Sequence, residues 1–106
     1  MFKNKIVLIT GGTGSFAKAF LSRLLSIKDK PKKIIIFSRD ELKQYYMQQK
    51  YPSNLFPELR FFIGDIREKD RLKFALRDVD IVVHTAALKQ VPAAEYNPFE
   101  CIKTNI

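Results

Sequence analysis

The 106-residue chain has one cysteine, Cys101, and one histidine, His84. A single cysteine excludes an internal disulfide, and without a second cysteine or a paired histidine no zinc-ligand spacing exists, so no structural metal is expected. Cys101 reads as buried packing. No apolar run approaches the roughly 18 residues that a membrane span needs, and Ile6 to Ile9 is too short even for the core of a secretory signal. The cytoplasm is therefore the expected location. Solenoid repeats, low-complexity tracts and a domain linker are also missing. What the chain has in quantity is hydrophobic residues, 46%, and positive charge, formally +8. The first suffices for the core of one globular domain. The second raises the question of nucleic acid, because lysine and arginine gain affinity by releasing counterions from phosphates. The basic residues are scattered, however. Their tightest group, Lys28, Lys30, Lys32 and Lys33, reads as a solvated loop, and no nucleic-acid motif accompanies it. Nucleic-acid binding is not expected.

Four short apolar runs recur at near-regular intervals: Lys5 to Thr10, Lys33 to Phe37, Arg60 to Ile63 and Asp80 to Thr85. Each is continuous rather than alternating, the pattern of parallel strands covered on both faces. Between them, Phe16, Phe20, Leu21, Leu24 and Leu25 share one helical face, as do Leu72, Ala75, Leu76 and Val79. Pro52 and Pro57, flanking Ser53 and Asn54, mark the loop into the third strand. Strand and helix in alternation predict an α/β fold, a partial Rossmann sheet in strand order 3-2-1-4 with right-handed crossovers. Asn97, Pro98 and Glu100 have the pattern of an N-cap, a first-turn proline and a capping-box acid. They predict a helix with Phe99, Ile102 and Ile106 on its apolar stripe. That stripe breaks off at Ile106 with no stop signal, so the chain reads as truncated, a compact natural domain being the alternative.

The motif with the most chemistry is Thr10-Gly11-Gly12-Thr13-Gly14-Ser15-Phe16-Ala17, between the first strand and the first helix. Gly11 allows the tight turn, Gly14 lets the backbone approach a pyrophosphate, and Ala17 lets helix and strand pack closely. Amides at the helix N-terminus then face the anion. The end of the second strand selects the dinucleotide. An acid there accepts from a ribose 2′-hydroxyl, whereas a 2′-phosphate needs positive charge. Phe37-Ser38-Arg39 supplies a hydroxyl and a guanidinium, with Lys43 one turn further on, and this favours NADP over NAD. Asp40 and Glu41 lie close enough to oppose it. Ser38 also reads as an N-cap with Glu41 completing a capping box. Asp65, in Gly64-Asp65-Ile66, has two readings as well: an acceptor for the adenine amino group, or an N-cap with Glu68 as partner acid. In His84-Thr85-Ala86-Ala87 small residues permit close approach to the middle of the cofactor. His84 reads as strand-end packing rather than a catalyst. Lys89, past the strand end, suits a ribose or phosphate contact, or is a surface lysine.

On these residues the sequence resembles the extended short-chain dehydrogenase/reductases, whose fingerprint Thr-Gly-x-x-Gly-x-x-Gly is matched except at Ala17. Across the whole chain it is similar, more narrowly, to the inverting UDP-N-acetylglucosamine 4,6-dehydratases of pseudaminic acid and capsule biosynthesis. The matching segments are Thr10 to Phe16, Ser38-Arg39-Asp40-Glu41-Leu42-Lys43, Phe62 to Asp65, Ala86 to Pro92, Glu95 to Pro98 and Lys103 to Asn105. The resemblance implies that Thr13, Gly14, Ser15 and Phe16 lie at the pyrophosphate, and that Ser38, Arg39, Asp40, Glu41, Leu42 and Lys43 surround the adenosine 2′-phosphate. It implies Asp65 and Ile66 at the adenine, and Thr85 and Lys89 nearer the nicotinamide. Thr85 stands where alanine is usual.

The resemblance further implies a lyase in which NADP takes a hydride from C4 of the sugar, water leaves across C5 and C6, and the hydride returns to C6. The intact enzyme is expected to be a homo-oligomer binding a nucleotide-sugar. Catalysis in that family needs a Tyr-x-x-x-Lys pair and a Thr-Asp-Lys group after the fourth strand, and neither occurs in residues 1 to 106. Tyr46 and Lys50 match the spacing only, on a helix beneath the adenosine side. No catalytic residue is assigned. Residues 1 to 106 are thus expected to be the N-terminal part of an NAD(P)-binding Rossmann domain, without the substrate domain and inert alone. The alternatives are a free-standing NADP-binding module and part of an NAD-dependent nucleotide-sugar epimerase.

Overall fold

The computed structural model describes residues 2–11, 14–84 and, as a strand, 102–104. In chain order the elements are β1 (Ile6–Thr10), α1 (Ser15–Ser26), β2 (Lys33–Ser38), α2 (Glu41–Lys50), β3 (Leu59–Ile63), α3 (Lys69–Ala75), β4 (Ile81–His84) and β5 (Ile102–Thr104). The first four strands are parallel, in the order β3-β2-β1-β4. That is the doubly wound arrangement expected from the sequence.

Period-two alternation explains why the strands read as unbroken apolar runs. Val7 and Ile9 of β1, Ile34 and Ile36 of β2, and Ile81 and Val83 of β4 pack on one face against Ala17, Leu21, Leu24 and Leu25 of α1 and Met47 of α2. The intervening residues Leu8, Phe37 and Val82 turn to the other face, where Ala75 of α3 and Val79 cover them. With both faces buried, the central positions of β1, β2 and β4 need apolar side chains. Burying each large aliphatic contributes about 1.5–3 kcal/mol. Outside the strands, Asp80 ties β4 to the start of β1: its carboxylate accepts from the Ile6 amide at 2.9 Å, and its own amide donates to Ile6 O at 2.8 Å.

One expected element differs. Residues Ile102–Thr104 form no helical turn but pair antiparallel with β4, Ile81 opposite Thr104 and Val83 opposite Ile102. The outer edge of β4 otherwise carries a row of unpaired N–H and C=O groups, and any extended segment that reaches it satisfies them. Ile-Lys-Thr, with two β-branched residues, suits that pairing. The expected cap at Asn97, Pro98 and Glu100 lies outside the described residues.

Phe37 is wholly buried and stacks on Phe62 with centroids 5.6 Å apart, whereas Leu55 is 68% exposed. Phe37→Ala is expected to cost about 3–5 kcal/mol and Leu55→Ala less than about 0.5 kcal/mol in urea unfolding.

Candidate functional site

Parallel pairing brings the carboxyl ends of the strands to one rim. Thr10 lies beside Phe37 on one side and His84 on the other, and Ser38 lies beside Ile63. Gly11, Arg39 to Lys43 and Gly64 to Arg67, which follow the strands, therefore leave from one rim. Ligands of open α/β sheets bind at such a rim.

The first of these segments is shaped for close approach. Gly11 has φ 65°, a left-handed conformation costly for residues with a Cβ. Its amide donates to Phe37 O at 3.0 Å, and its carbonyl accepts from the Gly14 amide at 3.0 Å. Gly14 is the N-cap of α1. Among the described residues no side chain caps this end, and no acid stands in the first turn. The first-turn amides are thus left without a side-chain acceptor, and the positive end of the helix dipole is not offset. Ser15 and Phe16 are exposed beside it, Phe16 stacking on Phe20 with centroids 6.2 Å apart. Thr13, Thr85 and Lys89 lie outside the described residues.

The segment after β2 is organised differently from the capping-box pattern. Asp40, not Ser38, caps α2, its carboxylate accepting from the Lys43 amide at 3.0 Å. Ser38 is excluded from that role because it still belongs to β2, its carbonyl accepting from the Gly64 amide at 2.9 Å. Its side chain is nearly buried and meets Gln44, which is 1% exposed. Gln44 Nε2 donates one proton to Phe62 O at 3.1 Å and the other to Ser38 Oγ at 2.9 Å, shared with Ser38 O at 3.3 Å, joining the ends of β2 and β3. Its Oε1 is buried without a partner among the described residues, a cost of about 1–3 kcal/mol. Gln44 is the site residue that sequence reasoning missed. The signal was its place with Met47 and Tyr51 on the buried stripe of α2, where a polar residue is out of pattern. Arg39, Glu41, Leu42 and Lys43 are exposed, and Lys43 Nζ stands 4.0 Å from Asp40.

After β3, Asp65 gathers charge. Arg67 donates to it from Nε and Nη2, the latter at 2.7 Å, and from its backbone amide at 2.9 Å; Arg39 Nη1 donates at 3.3 Å. The Arg67 side-chain bonds, then its amide and its charge, hold the Asp65 carboxyl well below the usual carboxylate range, with Arg39 contributing less. Asp65 does not cap α3. Glu68 does, and its carboxylate accepts from the Asp65 amide at 3.1 Å, so the two acids build the turn before the helix. Gly64 is fixed by packing, since a Cβ there would stand 2.8 Å from the Phe37 ring and 3.1 Å from Arg71 Cγ. Ile66 is 42% exposed at the rim.

Elsewhere, His84 Nδ1 lies 3.1 Å from Thr10 Oγ1, a contact that joins the tips of β1 and β4. Tyr46 and Lys50 line a cleft of about 190 Å³ with Lys18, Lys43, Met47 and Tyr51, on the flank between α1 and α2. Among the described residues, no His, Cys, Asp and Glu side chains group as metal ligands, and no helix is long and apolar enough to cross a membrane.

Comparison with known proteins agrees with this architecture. The model of the family described as "Polysaccharide biosynthesis protein" matches residues 7–106. The chain is 60% identical over 106 residues to a UDP-N-acetylglucosamine 4,6-dehydratase (inverting) of Campylobacter jejuni, covering all of this chain and 30% of that protein. It is 52% identical to a UDP-glucose 4-epimerase of Rickettsia bellii, covering all of this chain and 31% of that protein. Among solved structures, that of Pen from Bacillus thuringiensis superposes with a TM-score of 0.74 at 45% identity, covering 94% of this chain and 31% of the other. The chain thus spans about a third of the length of the curated relatives it matches.

Two expectations follow from the rim. Gly64→Ala must displace a buried ring and is expected to cost about 1–3 kcal/mol in thermal unfolding. Arg67→Ala should raise the Asp65 midpoint toward 3.8, its ordinary value, in a carboxyl-carbon NMR titration. Because the folded carboxyl is depressed, the cluster's contribution is complete above the ordinary carboxylate range and disappears as pH falls through the folded midpoint.

Proposed function

Since the chain belongs to the polysaccharide biosynthesis protein family, we propose that residues 1–106 are the N-terminal, NADP-binding part of a sugar-nucleotide 4,6-dehydratase acting on UDP-N-acetylglucosamine. The observation that carries this reading is the juxtaposition, on one rim, of the α1 N-terminus, which begins at Gly14, and the Ser38–Arg39 strand end. It is supported by the 60% identity to a protein with that activity in its name.

The residues present fit the cofactor. Gly11, Thr13, Gly14, Ser15 and Phe16 would take the pyrophosphate, for which an unneutralised helix N-terminus is suited. Ser38, Arg39 and Lys43 would hold the 2′-phosphate. Arg39 spends one nitrogen on Asp65, and a guanidinium carries five N–H donors in all, so the others stay available. Asp40 counts less against the phosphate than its charge suggests, because its carboxylate is engaged by the Lys43 amide and stands near the Lys43 ammonium. Leu42 and Ile66 would border the adenosine. The Asp65 carboxylate already accepts from two arginines, so an adenine amino group would share it with them. Thr85 and Lys89 would serve the nicotinamide half.

When bound, NADP supplies a reversible hydride acceptor. What residues 1–106 contribute is binding, orientation and choice of dinucleotide. Proton transfer to the sugar falls to residues outside them, since Tyr46 and Lys50 face the α1–α2 flank. The full protein would be a cytoplasmic homo-oligomer whose partner is the nucleotide-sugar.

Calorimetry with NADP and NAD tests the reading. NADP is expected to bind more tightly, and Arg39→Ala to weaken NADP about 10-fold while leaving NAD within about 2-fold. Equal losses for both dinucleotides would remove the 2′-phosphate role, and tighter binding of NAD would favour an epimerase-type site like that of the relative named as a UDP-glucose 4-epimerase.

A further inference from the structure

Building on the reading of Ser38 as a 2′-phosphate contact, we propose that Gln44 is a positioning residue for NADP selectivity, holding the Ser38 hydroxyl as a hydrogen-bond donor at the rim. The orientation of the Gln44 amide is set by its surroundings. Two of the atoms it meets, Ser38 O and Phe62 O, are carbonyl oxygens that can only accept, so the nitrogen must face them. An amide nitrogen can only donate, and of its two protons one serves Phe62 O at 3.1 Å while the other serves Ser38 Oγ at 2.9 Å, shared with the more distant Ser38 O at 3.3 Å. The hydroxyl oxygen is therefore the acceptor in that bond. Its single proton has to go elsewhere, and accepting one bond strengthens the bond it donates.

A hydroxyl prepared in this way matches an anion. A phosphate oxygen is an acceptor only, and the bond it receives is charge-assisted. A ribose 2′-hydroxyl gains less from the same donor. Without the Gln44 amide, a serine hydroxyl at a strand end is free to rotate toward a nearby backbone carbonyl. Strand tying alone does not account for glutamine here. Its Oε1 is buried without a partner among the described residues, and an apolar side chain of similar shape would fill the space without that penalty. Buried unsatisfied groups are rare in native proteins.

The test is a double-mutant cycle in the full-length protein, with NADP and NAD affinities measured by calorimetry and stability by thermal unfolding. Gln44→Met keeps the side-chain volume and removes the amide; Gln44→Asn keeps an amide one methylene too short, and serves if the methionine variant does not fold. Each is expected to weaken NADP about 5- to 10-fold and NAD less than about 2-fold. Ser38→Ala should do the same, and the double variant should lose no more than Ser38→Ala alone. A Gln44 variant that melts earlier but keeps the wild-type ratio of NADP to NAD affinity would overturn the proposal. So would additive losses in the double variant, which would mean that Gln44 acts independently of Ser38. A wild-type protein without NADP preference would refute the cofactor reading itself, before any Gln44 comparison is made.

Discussion

A parallel sheet cannot leave a face to water, and the rest of this molecule follows from that constraint. Helices α1 and α2 cover one face and α3 the other, because β1, β2 and β4 turn successive apolar side chains alternately to both. Parallel strands also end together, so each crossover must begin at the same rim. The loops that leave that rim need not pack a core. They are where the chain places Gly11, Gly14 and Gly64, the Asp40 cap, and the charges of Arg39, Asp65 and Arg67.

Those loops divide the work between backbone and side chains. After β1 the backbone acts: Gly11 takes a left-handed turn, and α1 begins at Gly14, which has no side chain to cap it. After β2 side chains act, Asp40 closing the start of α2 and so leaving Ser38 free of that duty. After β3 a carboxylate and two guanidiniums form a cluster that joins the second loop to the third through Arg39 and Asp65. Exposed pairs of this kind contribute little to stability. Their effect is to set where the charged groups stand.

Beneath the surface, Gln44 and Gly64 hold that arrangement in place. Gln44 reaches from α2 to the ends of β2 and β3, and Gly64 lets the Asp65 turn pass against the Phe37 ring. Neither residue reaches solvent as a charge. Both decide where the exposed groups can be.

The strand order, the two-sided core and the glycine turn were legible in the sequence because each rests on local patterning: apolar runs, helical spacing, and glycine where a strand becomes a helix. The segments at that rim were legible for the same reason, since they immediately follow strands. Capping was not. Ser38 and Asp40 are both good caps by type, and only the extra residue of β2, which keeps Ser38 in the sheet, gave the role to Asp40. The segment Ile102–Thr104 fits a helical stripe by spacing, yet it pairs with β4 because an open sheet edge, invisible to local pattern, offers hydrogen bonds. Gln44 likewise acquires its partners from two strand ends, Ser38 of β2 and Phe62 of β3, that the sheet brings side by side. Residue type and spacing thus determined which elements form and in what order they lie, whereas tertiary contact decided which polar atoms meet, because hydrogen bonds depend on distances of a few tenths of an ångström that periodicity does not encode.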